Sequence, residues 1–267
     1  MAVQRCPDHL VAGDGDTTVF LLHGGYGSKD YWRPQIETLA MNGYRVVAWD
    51  APGYGISPLP EPFSIERLAE SCALLIETVG SARNVVFGHS MGGLIAPKVC
   101  ELSSRVDALV LSATLASLQQ GGKDFASDFL EKRLAPLTQN ATLAAAATPL
   151  VKSMFAPGSG GPLADLIIEV AATTRTPTFR AAMYAIQAWD GAPVVQRVHV
   201  PTLCIAGRHD PVGKPEEMQK LAALIPGSEM QVIDNAGHYA WAEQPEAFNR
   251  VLLDFLRRRL AANRSAA

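Results

Sequence analysis

Long apolar runs are missing from this chain. Nowhere do about 18 uncharged apolar residues stand together, the length a membrane-spanning helix needs. The first stretch, MAVQRCPDHLVAGDGDTT, places Pro7, Asp8, Asp14 and Asp16 where a secretion leader requires an unbroken apolar segment. The expectation is a soluble, cytoplasmic protein with no membrane partner. Blocks of positive charge are missing too. The 23 Lys and Arg stand against 26 Asp and Glu, a formal net charge of −3, and no basic cluster offers a phosphate-tracking surface, which argues against nucleic acid as a partner. The four cysteines, Cys6, Cys72, Cys100 and Cys204, lack the paired spacing of a metal or redox site, and three lie in apolar segments, so they read as buried thiols. Neither H-E-x-x-H nor any short-spaced ligand pair joins the six histidines. HGGYGS at 23–28 fails the dinucleotide-binding spacing, and APGSGGP at 156–162 lacks the lysine and hydroxyl residue of a phosphate loop. No metal and no cofactor are expected.

What the chain does hold is a core. Its 267 residues are 48% hydrophobic, enough for one large domain or a core with an insertion. Buried strands are predicted at 18–22 (TVFLL), 45–49 (RVVAW), 84–87 (NVVF) and 108–111 (ALVL). Between them a short helix fits 34–41, and a longer one after Ser64 carries Ile65, Leu68, Ala69, Cys72, Leu75, Ile76 and Val79 on one face. A further helix follows Ser90 through Leu94, Ile95 and Val99. This is βα repetition with a mostly parallel sheet. From about 116 to 192 the pattern changes: DFASDFLEKRLAPL and TFRAAMYAIQAW are amphipathic, APGSGGP interrupts, and no strand appears. Strands resume at 202–206 (TLCIA) and 229–233 (EMQVI), separated by a helix at 215–224. A last helix runs from Pro245 to about 260, its LRRRLAANR end read as solvated. The expected division is 1–115 and 193–267 as the two parts of one core, with 116–192 as a helical lid over the sheet's C-terminal edge.

Four signals converge on that edge. Ser90, in VFGHSMG, sits between a strand and a helix, where a tight turn exposes a nucleophile; the rival reading is a small turn residue. A serine hydroxyl needs a base. His238, in NAGHYAWAEQP after the last strand, can reach the same edge, and Asp210, in AGRHDPV after TLCIA, can orient its ring and stabilise its charged form; the rival roles are a loop-bracing imidazole and a helix cap. The main-chain N–H groups of Gly25 and Met91 are assigned to an oxyanion hole. Tyr26 is a possible substrate contact. His23 is expected to brace the oxyanion loop, with substrate contact as a second option, and Asp50 is the residual alternative for the acid. Trp32, Trp189 and Trp241 read as core or lid packing, and His209 as a surface residue.

The motifs LLHGGYGS, DAPGYGIS at 50–57, GHSMGG at 88–93, AGRHDPV at 206–212 and GHYAWAEQPEAF at 237–248 make the sequence resemble the α/β-hydrolase superfamily over nearly its full length. In appearance it is closest to small lid-bearing esterases and 3-oxoadipate enol-lactonase-like hydrolases. The resemblance implies an α/β-hydrolase fold, a mostly parallel central sheet flanked by helices with a helical lid insertion, and a triad of Ser90, Asp210 and His238. Two departures stand out. The DAPGYGIS loop has no arginine near Pro52, where the resembling enzymes often carry one, and the N-terminal stretch leaves little room for the opening antiparallel hairpin. The expected activity is cleavage of a small or medium carboxylic ester or lactone through an acyl-enzyme. The alternatives are hydrolysis of a carbon–carbon bond in a vinylogous diketone, and a non-catalytic ligand-binding protein on the same scaffold. No oligomeric state follows from the sequence.

Overall fold

The structure, a computed structural model, describes residues 6–137 and 142–261. Among the described residues seven strands form one sheet: β1 (His9–Ala12), β2 (Thr17–Leu22), β3 (Arg45–Trp49), β4 (Arg83–His89), β5 (Ala108–Ser112), β6 (Thr202–Gly207) and β7 (Glu229–Ile233), in the spatial order β1-β3-β2-β4-β5-β6-β7. Every neighbouring pair is parallel except β1 with β3. The central strands are covered on both faces, which is why β2, β4, β5 and β6 read as continuous rather than alternating apolar runs. The chain leaves β2 toward β3 and returns on the other side of β2 to enter β4. That reversal opens a crevice at the carboxyl ends of β2 and β4, the place where open α/β sheets hold ligands.

Helices α1 (Arg33–Met41), α2 (Ile65–Val79) and α3 (Met91–Leu102) fill the crossovers of the first half. The Ser64 hydroxyl caps α2 by accepting the Arg67 N–H at 3.3 Å, and the predicted stripe from Ile65 to Ile76 is buried. At the amino-terminal edge the described residues form one antiparallel strand. β1 is four residues long, pairs only with β3, and leaves Leu10 and Val11 half exposed.

Between β5 and β6 the chain forms α4 (Gly122–Leu134), α5 (Leu143–Lys152), α6 (Pro162–Thr173), α7 (Thr176–Ala188) and the short α8 (Ala192–Val195). APGSGGP separates α5 from α6, with Gly158 at φ 81° and Gly161 at φ 93°, backbone that suits residues without a Cβ. The insertion is fastened to the core through the 50–57 loop. Arg175 at the start of α7 donates from Nη2 to the carbonyls of Gly53 (2.7 Å) and Ser57 (2.8 Å), and the Thr178 hydroxyl donates to Gly53 at 2.8 Å. The loop that lacks its own arginine thus receives one from another element.

After β6 come α9 (Pro215–Leu224), β7, the short α10 (Ala240–Glu243) and α11 (Pro245–Ala261), which buries Phe248, Leu252 and Phe255. The arginines at its end are half exposed and paired: Arg258 and Arg259 both meet Glu229 at 2.7 Å, lowering that carboxyl's pKa, while residues 262–264 of the run lie outside the described part. Cys72 and Cys204 are buried and Cys6 and Cys100 partly so, all as free thiols whose pKa burial pushes up. Among the described residues no helix is long and apolar enough to cross a membrane.

Candidate active site

Ser90 is the last residue before α3 and has φ 54° and ψ −116°, a conformation costly for any residue with a Cβ. The surroundings hold it there. Its N–H donates to the Ser112 carbonyl of β5 at 2.9 Å, and its carbonyl accepts from the Thr114 hydroxyl at 2.9 Å. Two close approaches make the turn possible: a Cβ on Gly88 would lie 2.2 Å from the Gly92 carbonyl oxygen, and one on Gly92 would lie 2.2 Å from that of Leu22. Gly92→Ala must therefore push α3 away from β2. The expected cost is about 1–3 kcal/mol of stability, read as a lower urea midpoint, together with loss of activity. Ser90 itself stays partly open to solvent between buried His89 and Met91.

Asp210 and His238 arrive from the carboxyl ends of β6 and β7 and meet. The His238 Nδ1 lies 2.9 Å from Asp210 Oδ2 and 3.1 Å from Oδ1, with both residues buried. Asp210 Oδ1 also accepts the N–H groups of Val212 (2.7 Å) and Gly213 (3.0 Å). Asp210 therefore braces its own turn as well as orienting the imidazole, while α9 begins later, at Pro215. Glu243 fixes the loop that carries His238. Its Oε1 accepts from the N–H groups of Gly237 (3.0 Å) and Tyr239 (3.1 Å), and its Oε2 accepts from Ala156 N and Ser159 Oγ, both at 2.7 Å. Asp50, the other aspartate buried among the described residues, is committed to Lys29, whose main-chain N–H reaches Oδ1 at 2.8 Å and whose ammonium pairs with Oδ2. His209 is exposed.

The loop after β2 lies against Ser90: a Cβ on Gly24 would be 3.4 Å from the Ser90 hydroxyl. The Gly24 N–H is already used, donating to Tyr31 Oη at 2.8 Å. His23 determines where the next amide points. Its Nε2 accepts the Ala51 N–H at 3.0 Å, so the ring proton sits on Nδ1 and donates to the Gly24 carbonyl at 2.8 Å, which also receives the Gly27 N–H at 3.0 Å. In a trans peptide the carbonyl and the following N–H point in opposite directions. Holding the Gly24 carbonyl therefore aims the Gly25 N–H to the other side. Burial, outweighing the Gly24 carbonyl and Asp50, pulls the His23 pKa down to about 4, so the ring stays neutral. Met91 is the first residue of α3, where the N–H has no intrahelical acceptor.

The rings pack tightly around this centre. His89 lies 4.9 Å from His238 and 5.3 Å from Tyr239, centroid to centroid, and Trp32 and Trp241 are fully buried 5.0 Å apart. Trp189 is nearly buried in the insertion. Tyr26 sits 4.6 Å from Phe179 of α7, and a Cβ on Gly25 would come within 2.8 Å of Met183. The insertion thus rests directly on the Gly25 loop. Tyr31, Tyr54 (which donates to the Gly25 carbonyl at 3.1 Å), Glu243, Phe179 and Met183 were not singled out by sequence reasoning. Tyr54 and Glu243 lay inside quoted motifs, and Phe179 and Met183 inside a quoted amphipathic stretch, but nothing in those patterns marked them individually.

A buried His–Asp pair and a strained serine at a strand–helix turn lie together at the carboxyl edge of the sheet's parallel strands. The family profile described as the alpha/beta hydrolase fold matches residues 17–245. The chain belongs to the α/β-hydrolase family. This α/β-hydrolase is 30% identical over 273 residues to the 2-hydroxy-6-oxo-6-(2'-aminophenyl)hexa-2,4-dienoic acid hydrolase of Metapseudomonas resinovorans, covering 97% of this chain and 90% of the relative. Among solved structures, it superposes on a thermophilic esterase from Thermogutta terrifontis with a TM-score of 0.78, 25% identity and coverage of 94% of this chain and 93% of that one. It shares its fold with an esterase from Exiguobacterium antarcticum, at a TM-score of 0.83, 22% identity and coverage of 93% and 94%.

Proposed function

We propose that this α/β-hydrolase is a serine hydrolase in which Ser90 attacks a carbonyl carbon, His238 takes the serine proton, and Asp210 holds the imidazole in the needed tautomer and stabilises its charged form. The observation that carries the reading is the buried His238–Asp210 contact at 2.9 Å on the same sheet edge as the strained Ser90 backbone. The N–H groups of Gly25 and Met91 receive the developing oxyanion. Residues 116–192 act as a lid over this centre, flanked by the core parts 1–115 and 193–267.

The first reaction we assign is hydrolysis of a carbon–carbon bond beside a ketone in a vinylogous diketone, supported by the 30% identity to the Metapseudomonas resinovorans hydrolase. After attack, the carbon–carbon bond breaks with its electron pair delocalised into the neighbouring carbonyl, and the fragment takes the proton from His238. Water activated by His238 then releases the acyl group. Sequence reasoning put an ester or lactone first, and the 25%-identical thermophilic esterase supports that as the second reading. There the departing alkoxide takes the same proton.

A fluorophosphonate should label the folded protein stoichiometrically at Ser90, and absence of labelling would reject the serine mechanism in favour of the ligand-binding alternative. Product analysis then separates the reactions. Supplied with a vinylogous 1,5-diketone and with p-nitrophenyl esters, the protein is expected to give the two carboxyl-and-ketone fragments of the diketone at the higher kcat/KM. Turnover confined to esters would move the assignment to the second reading.

A further inference from the structure

The loop that carries His238 is held from the insertion as well as from the core. His238 donates its main-chain N–H to the Met154 carbonyl at 2.8 Å. A Cβ on Gly237 would lie 2.4 Å from that same carbonyl oxygen and 2.6 Å from the Ala156 nitrogen, so the two segments run in direct contact. The Tyr239 ring stands 5.4 Å from that of Phe155, centroid to centroid. Three consecutive residues of the histidine loop thus each meet the stretch 154–156, which lies between α5 and α6.

One carboxylate ties the two segments together. Glu243 Oε1 accepts the Gly237 and Tyr239 N–H groups on either side of His238, at 3.0 and 3.1 Å, and Oε2 accepts the Ala156 N–H and the Ser159 hydroxyl, both at 2.7 Å. Bracing the histidine loop alone would occupy Oε1 only. The insertion takes the second oxygen across 87 positions of chain, with hydrogen bonds of the kind that charge strengthens. Beyond Ala156 the packing falls away: among the described residues a Cβ on Gly158, Gly160 or Gly161 would meet nothing within 4 Å. Ser159 is tied back by its own turn, donating its N–H to the Ala156 carbonyl at 3.0 Å, and by the carboxylate.

The His238 residue is consequently fixed at two ends. Its Nδ1 meets Asp210 of the core at 2.9 Å, and its backbone hangs from Met154 and, through Glu243, from Ala156 and Ser159. The position of Nε2 depends on both supports. A general base works only within hydrogen-bond reach of the proton it takes, and a displacement of about 1 Å can cost roughly 100-fold in rate. We propose that Glu243 is a positioning residue that joins the insertion to the proton acceptor, so that the seating of residues 154–159 sets the alignment of His238 with Ser90. The inference rests on the proposed roles of Ser90 and His238. The insertion then takes part in proton transfer as well as in covering the centre.

The experiment follows the reaction of a fluorophosphonate with Ser90, which needs His238 as base, and separates its maximal rate from the probe concentration at half-maximal rate. Glu243→Gln has one oxygen for two pairs of donors, and its NH₂ group must face one of the pairs, so the joint opens whichever way the amide turns. Its maximal rate is expected to fall roughly 10- to 100-fold, the worth of a charge-assisted hydrogen bond, with the half-maximal concentration unchanged. Ser159→Ala, which alters only the insertion side, should lose roughly 2- to 10-fold. The double variant should be no slower than Glu243→Gln alone, because both act through one carboxylate. Ser153→Ala is the control: that hydroxyl donates to the Leu150 carbonyl of α5 at 2.7 Å, and its loss should leave the rate unchanged. An undiminished rate in Ser159→Ala or in folded Glu243→Gln, an effect confined to the half-maximal concentration, or additive losses in the double variant overturns the inference and leaves the serine mechanism standing. If circular dichroism shows that Glu243→Gln does not fold, Ser159→Ala against Ser153→Ala decides. Absence of labelling in the folded unmodified protein removes the serine mechanism and the inference with it.

Discussion

Asp210→Asn should fold and lose about 10⁴-fold in kcat, the loss seen when the acid of a serine–histidine–acid triad is amidated. The reason lies in the hydrogen bonds of this carboxylate. An asparagine placed in the same turn can still accept the Val212 and Gly213 N–H groups through its oxygen. Its NH₂ group then faces His238 Nδ1, which must accept instead of donate. The ring proton moves to Nε2, the nitrogen that has to take the serine proton, and the imidazolium loses its counter-charge. Asp50→Asn is the comparison. Asp50 faces Lys29, so its amidation should disturb the Gly25 loop and cost far less in kcat. Circular dichroism on each variant, with kcat measured under saturating substrate, tests the pair. Near-normal kcat in Asp210→Asn beside a collapse in folded Asp50→Asn would transfer the acid role to Asp50.

The larger effect is expected from Ser90→Ala. Alanine keeps the Cβ and loses only the hydroxyl, and the positive φ of 54° costs it about what it costs serine, so the turn should persist. The backbone bonds to Ser112 and Thr114 do not involve the removed atom. Turnover should fall by roughly 10⁶-fold, because a triad works as a unit and the remaining members have no nucleophile to activate. Substrate binding should be retained, since the amides of Gly25 and Met91 and the insertion are untouched. Stopped-flow kinetics with titration of the folded variant measure both. Full activity in purified Ser90→Ala would remove the mechanism altogether.

The positions of most core strands were legible because burial on both faces leaves an unbroken apolar run. The residues 229–233 became β7 without change of boundary. Asp210 and His238 were legible as candidates, since each follows such a run at the carboxyl edge. The amino-terminal edge was harder to read: β1 is four residues with an exposed face, and its partner β3 lies more than thirty positions away. Within the insertion, helical periodicity marked α4 and α7 but carried no information on what they cover.

The sequence by itself determined the βα order, the parallel sheet and the chemical kinds present at its edge, because strand burial and helix periodicity are local patterns that survive in one dimension. Tertiary structure alone decided that Asp210 rather than Asp50 meets His238, that His23 acts through the Gly24 carbonyl, and that Arg175 supplies the 50–57 loop with the arginine it lacks. Hydrogen bonds and charges act over a few ångströms of space, and separation along the chain says nothing about which groups the fold will bring that close.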